Sequence, residues 1–268
     1  MENTKKTTND SHAALIMRVA GNAAKMMLRY GGGVQRAEEV YLRMCSVCNV
    51  ENPQISAFST SISTSIEMEG ETYSALFRVV RRGVNLSKLK MINDLSREFS
   101  SGKTDLETAE KLLSEIDCAR TPFDNYGLLG AGFSSAFFAL LLGGGVWEFI
   151  LTFLIGALIS YILSFFERAH SFSFINNLFG GVIDGGMAAA LYCLMLNFSI
   201  TVSVEPIVVG AMMPLLPGLA ITNAIRDTIS GDYVSGVANV LEALSMAIAL
   251  AAGAALSLGT CIWLGVAL

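Results

Sequence analysis

Two carboxylates stand inside runs that are otherwise apolar. Asp184 lies in Gly180-Gly181-Val182-Ile183-Asp184-Gly185-Gly186, and Glu242 lies in Val240-Leu241-Glu242-Ala243-Leu244. An ionised carboxylate in hydrocarbon costs a few kcal/mol even on lenient insertion scales, so each must face protein or water. Such a group can carry a coupling proton, attract or repel a solute, or simply hydrogen-bond a neighbouring helix. The glycines flanking Asp184 leave room for a cavity and make it the stronger candidate of the two. A third feature is Met213-Pro214-Leu215-Leu216-Pro217-Gly218, followed by Asn223, Arg226 and Asp227. Two prolines three apart remove two backbone donors, so a helix through them kinks or breaks. At membrane depth that is tolerated where the freed groups face protein or line a wet cavity. Beyond the break, Gly218 and Asn223 begin a half-helix whose N–H groups could hold an anion, aided by Arg226. The plain alternative is a kink that serves packing.

Other chemistries find little support. The hydroxyl run Ser59 to Ser65 has no base to activate it, because His12 is the only histidine in that half and sits in a polar tail. Gly31-Gly32-Gly33 follows a helical pattern and lacks the Lys-Ser/Thr ending of a phosphate loop. Cys45 and Cys48 form one C-x-x-C without a second pair or a nearby histidine, which reads as reduced packing thiols. No catalytic, metal or cofactor set is expected. A net charge of −5 gives no basic face for nucleic acid.

The elements that must position these residues divide the chain in two. It has 268 residues, 53% hydrophobic and 15% charged, too apolar for an ordinary soluble domain. Residues 1–120 hold 16 of the 18 Lys and Arg and 15 of the 23 Asp and Glu, leaving two basic and eight acidic groups for residues 121–268. Residues 1–120 read as a small cytosolic α+β domain of order ααββαα. Its helices run from His12 to Tyr30, from Val34 to Val47, through Leu86 to Phe99, and after a capping box Thr104-x-x-Glu107. Between them, Phe58 to Ile66 and Thr72 to Val80 read as a β-hairpin. Arg36 and Glu38 fall on the solvated side of the second helix.

Residues 121–268 read as five transmembrane helices: Tyr126 to Leu142, Trp147 to Phe166, Asn176 to Phe198, Pro206 to Ile225 and Val237 to Leu268. The positive-inside rule puts Arg168, Arg226 and the N-terminal domain in the cytoplasm and the C-terminus outside. His170 falls in a cytoplasmic loop, and Glu148 and Glu205 mark outer helix ends. An odd number of helices suggests half of a two-part carrier.

Two stretches carry a resemblance. One is GGGVQRAEEVYLRMC with FRVVRRGVNLSKLKMINDLSREFSSGKTDLETAEKLL; the other is MPLLPGLAITNAIRDTISGDYVSGVANVLEAL. The chain resembles the bacterial threonine/serine exporter family in its separate-subunit, YjjP-like form. The resemblance implies an inner-membrane export component with a cytosolic domain, five spans and a second, smaller membrane subunit as partner. Its cargo would be threonine and serine or succinate-type dicarboxylates. By the same resemblance, Arg36 and Glu38 match an R-x-E motif. Pro214, Pro217, Gly218, Asn223, Arg226, Asp227, Gly231 and Asp232 match a proline-glycine motif. A second functional class is a membrane-anchored regulatory or scaffolding module, in which the soluble domain binds a ligand or partner and the helices only anchor it.

Overall fold

A computed structural model describes residues 2–79, 83–120, 122–168 and 173–265; His170 lies outside them. The elements run α1 (Glu2–Arg29), α2 (Val34–Cys45), β1 (Glu51–Phe58), β2 (Ser61–Met68), β3 (Glu71–Arg78), α3 (Leu86–Ser100), α4 (Leu106–Cys118), α5 (Pro122–Leu141), α6 (Val146–Arg168), α7 (Ser173–Asn197), α8 (Val204–Met212), a single 3-10 turn (Met213–Leu215), α9 (Gly218–Ile229) and α10 (Tyr233–Trp263). They form two units. The first comprises Met1–Thr121 with Leu219–Val240, and the second Pro122–Gly218 with Leu241–Leu268. Residues 219–240, which the sequence assigns to the membrane half, thus group with the N-terminal unit.

In the first unit α1 is the central rod. It buries Ala13, Ile16, Ala20, Ala23, Ala24 and Met27, and the small residues let neighbouring elements approach closely. Gly31 ends it with φ +90°, a left-handed cap natural to glycine. The N–H of Gly32 then donates to the Met27 carbonyl at 2.8 Å. Helix α2 presents Val34, Ala37, Val40, Tyr41 and Met44 to the same core. At this same C-terminal end of α1, Asp117 accepts from Arg29 Nη1 at 2.9 Å and from the Tyr30 hydroxyl, while Lys88 Nζ donates to the Asp117 carbonyl at 2.6 Å. That cluster ties α1 to α3 and α4.

The sheet differs from the expected hairpin. It has three antiparallel strands in the order β1-β2-β3, so the first unit opens ααβββαα. The run from Phe58 to Ile66 is two strands, because Ser59 and Thr60 turn the chain between them. Pro53 lies inside edge strand β1, where the register shifts between Glu51 and Gln54. An edge position is where a residue without an N–H is accommodated. Ile62, Thr64 and Ile66 of β2 are buried, and the intervening serines face the other side. Helix α4 is capped one residue later than expected, at Asp105 instead of Thr104. Cys45 and Cys48 carry free thiols packed into this unit, their pKa values pushed up by burial to about 12 and about 11.

In the second unit α6 turns Leu151, Ile155, Ile159 and Leu163 inward, a stripe four residues apart. Ile150, Leu154, Tyr161 and Phe165 are exposed, the outward apolar face expected of a lipid-facing helix. Glu148, buried at the start of α6, accepts from the N–H of Gly145 and of Ser203, each at 2.9 Å. One carboxylate thus holds both the α5–α6 turn and the start of α8. Helices α6, α7 and α10 are long and apolar enough to cross a bilayer. The pair α8 and α9 forms a fourth, interrupted candidate, and Tyr126–Leu141 of α5 is apolar but shorter.

Candidate functional site

The interruption occurs where the two prolines predict it. Helix α8 ends at Met212, the 3-10 turn holds Pro214, and Leu216 adopts extended backbone with ψ 137° before Pro217 and α9. The carbonyls left without helical partners are taken up locally: Gly210 accepts from the N–H of Met213 and Met213 from that of Leu216. Tightening to 3-10 geometry is the usual repair of such an end.

Within the second unit this break borders a cavity of about 670 Å³. Helix α5 contributes Tyr126, Gly127, Gly130, Ala131 and Ser134; α6 contributes Gly156, Ile159, Ser160, Leu163 and Ser164; and Ala211, Pro214 and Leu215 close it from the break, so that apolar side chains make up most of the wall. The small residues recur about every four positions, one face of a helix, and so hollow out one side of each. Close approach of α5 and α6 supports the wall, since a side chain on Gly156 would begin 2.2 Å from Ser135 Oγ. The buried hydroxyls of Ser135 and Thr152 have no hydrogen-bond partner. Among the described residues, no Lys, Arg, Asp or Glu lines this cavity. Of the residues singled out in the sequence, Pro214 lines it. Among residues outside the sequence candidates, Gly156, Ser160 and Ser164 at spacing four stand out in an otherwise bulky apolar helix.

Asp184 is elsewhere in the same unit. It is fully buried, both carboxylate oxygens lack a protein partner, and it is not among the residues lining the cavity. The flanking glycines do not open space around it as the sequence suggests. They let α10 approach to backbone contact: a Cβ on Gly181 would lie 2.1 Å from the Leu250 carbonyl oxygen, and one on Gly185 2.9 Å from that of Ala254. Glu242 is half-buried on α10.

The remaining motif residues converge in the first unit. Asn223 Nδ2 donates to the Gly31 carbonyl at 3.2 Å, across 192 residues of sequence. Asn239 Nδ2 donates to Asp227 Oδ2 at 2.9 Å, and Asp232 Oδ1 accepts from the N–H of Ser235 at the start of α10. Gly33 faces Asn223, Asp227 and Arg226 together, each within 3.8 Å of where its Cβ would stand. Asp227, Ser230 and Asp232 then share a recess of about 280 Å³ with Glu38. The two stretches read as separate motifs therefore meet, whereas Arg36, two residues from Glu38, lines a different groove. Helix α9 is amphipathic in an inverted sense. Asn223, Ala224 and Asp227 are buried against protein, while Ile221, Ile225 and Ile229 are exposed, an arrangement suited to an apolar surrounding.

Glu38 accepts from the N–H of Ala57 at 3.1 Å. Burial raises its pKa against the opposing pull of that bond, and nearby Asp232 adds to the rise. A carboxyl with a raised folded-state pKa penalises the fold when ionised, so stability increases as pH falls through that value. Glu38→Gln should accordingly melt higher than the parent chain at pH 8. The gap should close near pH 4, where unfolded glutamate also protonates at about 4.3. Circular dichroism melts at the two pH values check this.

The family model "Putative threonine/serine exporter" (ThrE) matches residues 18–260. The chain is 27% identical over 255 residues to the "Threonine/serine exporter" of Corynebacterium glutamicum, covering 94% of this chain and 52% of that protein. It is 22% identical over 246 residues to the "Probable succinate transporter subunit YjjP" of Escherichia coli (strain K12), covering 91% of this chain and 93% of that one. It is also 21% identical over 253 residues to the "Probable threonine/serine exporter" of Mycobacterium tuberculosis, covering 93% and 47%. The chain therefore spans about half the length of the two threonine/serine exporters and most of the YjjP subunit. No solved structure matches it. With apolar helices of spanning length and a family match that runs from α1 into α10 and takes in both motif regions, this multi-pass membrane protein belongs to the threonine/serine exporter family.

Proposed function

We propose that the chain is one half of an inner-membrane exporter for small zwitterionic amino acids of the threonine and serine kind. It works with a second, smaller membrane subunit. In this reading α5, α6, α7, the interrupted α8–α9 pair and α10 are five spans. The N-terminal unit is cytoplasmic, and the C-terminus lies outside. The cavity beside Pro214 is this half's share of the solute route.

The observation that carries the reading is that cavity: it sets three serines and three glycines among apolar side chains, next to a broken helix, with no charged side chain among the described residues that line it. Ser134, Ser160 and Ser164 can exchange hydrogen bonds with a hydroxyl or ammonium group. A succinate-type dianion would require a cation, and none is among the described residues lining this cavity. The naming of the YjjP relative as a subunit supports the expectation of a partner. An anchored regulatory module has no use for a serine-bearing hollow beside a broken span.

Inside-out vesicles carrying this chain with its partner test the proposal. Ser160→Trp should fill the cavity and lower threonine uptake by about tenfold or more, as loss of a positioned route would, with the melting transition unchanged. Excess succinate should not compete. Undiminished threonine flux through the tryptophan variant refutes the assignment.

A further inference from the structure

Between α2 and α3 the first unit holds a groove of about 410 Å³ that the transport reading does not use. Arg36 and Arg43 line it from α2, and Lys90 and Arg97 from α3, with Glu39 and Asn93 completing its polar wall. Seven residues separate the members of each cationic pair, so roughly 10 Å of helix divides them. Four cations thus surround a small hollow that contains one opposing carboxylate.

None of the four is held in an ion pair among the described residues, so Glu39 is the one carboxylate lining the groove to set against four positive charges. The ion pairs among the described residues are Arg18 with Glu110 and Arg29 with Asp117, on other faces. Arg43 is oriented by neutral partners, its Nη1 donating to Asn93 Oδ1 at 3.1 Å and to Ser96 Oγ at 3.0 Å. Those bonds fix the guanidinium without cancelling its charge. Self-repulsion among four cations held on two packed helices is a standing cost, and a bound anion relieves it. Three guanidinium forks suit oxygen anions that can be gripped bidentately. A volume of this size admits a small molecule.

We infer that this groove is a binding site for a small phosphate-bearing polyanion, gripped by Arg36, Arg43, Lys90 and Arg97. The site belongs to the N-terminal unit and is separate from the solute route. The phosphate can come from a free metabolite or from a lipid headgroup, and the two sources are distinguishable.

The test places the full chain in phosphatidylcholine nanodiscs and titrates sodium pyrophosphate by calorimetry at about 150 mM salt, where diffuse surface attraction is screened. Saturable binding is expected. Arg36→Ala and Arg97→Ala should each weaken it about tenfold, the effect of one charge-assisted contact. Glu39→Gln should tighten it by about two- to fivefold through loss of the opposing charge, a gain that misfolding cannot mimic. Repeating the titration with phosphatidylglycerol in the discs separates the sources. Unchanged affinity assigns the groove to a free anion, and weakened affinity shows a headgroup phosphate competing for it. Absence of pyrophosphate binding in phosphatidylcholine discs, or binding indifferent to all three substitutions, overturns the inference.

Discussion

A valine at position 181 should leave the second unit unable to assemble. The Cβ it adds would start 2.1 Å from the Leu250 carbonyl oxygen and 2.9 Å from the Ala254 nitrogen. Both obstacles are backbone, so no side-chain rotation relieves them, and α7 and α10 would have to separate. Overpacking against movable side chains costs about 1–3 kcal/mol, and a clash with a fixed helix backbone exceeds that range. Gly181→Val should therefore yield little monodisperse protein in detergent and a melting transition many degrees lower. Gly259→Ala, on the same α10 with nothing within 4 Å of its Cβ, is the matched control and should melt at or slightly above the parent, because alanine favours helix. A Gly181→Val chain that melts like the parent would show that the two helices do not touch backbone to backbone.

The second large effect concerns Asp184, where stability and function should part. A fully buried carboxylate with neither oxygen partnered costs the fold about 1–3 kcal/mol even as a neutral acid, and more when ionised. Nothing in its packing repays that cost. Asp184→Leu should therefore melt higher than the parent. If the carboxyl is retained for a proton, an ion or a substrate ammonium that reaches it during the cycle, the same variant should lose export by about tenfold or more, and Asp184→Asn should behave alike. Melts and vesicle flux on the same preparations check both halves of the expectation. A variant that gains stability and keeps its flux would make Asp184 a packing relic.

Much of the frame was legible because it follows from local rules. Gly31 ends α1 through its left-handed freedom, and Pro214 and Pro217 interrupt the fourth apolar segment. What escaped depends on partners far along the chain. Strand β1 was hidden because Pro53 looks like a stop, and only its edge position makes it acceptable. The Ser59–Thr60 turn was masked by hydroxyl residues equally at home in a strand. The α9 motif, read as a half-helix after the proline break, also bonds the Gly31 carbonyl 192 residues away through Asn223. No periodicity announces that pairing. Arg36 and Glu38 look like one motif, yet the turn of a helix sends them into two different recesses. The glycines around Asp184 were read as room, although a missing side chain serves equally well to admit another backbone.

The central claim is that the hollow beside Pro214 carries solute, and a single cysteine tests it most directly. Ser160→Cys, in a chain whose five native cysteines are replaced by serine or alanine, is treated in inside-out vesicles with a charged, membrane-impermeant thiosulfonate while threonine flux is recorded. The account predicts that the thiol is labelled, that labelling stops flux, and that excess threonine slows the labelling. A thiol that the reagent cannot reach, or one that is fully modified while flux continues, would contradict it.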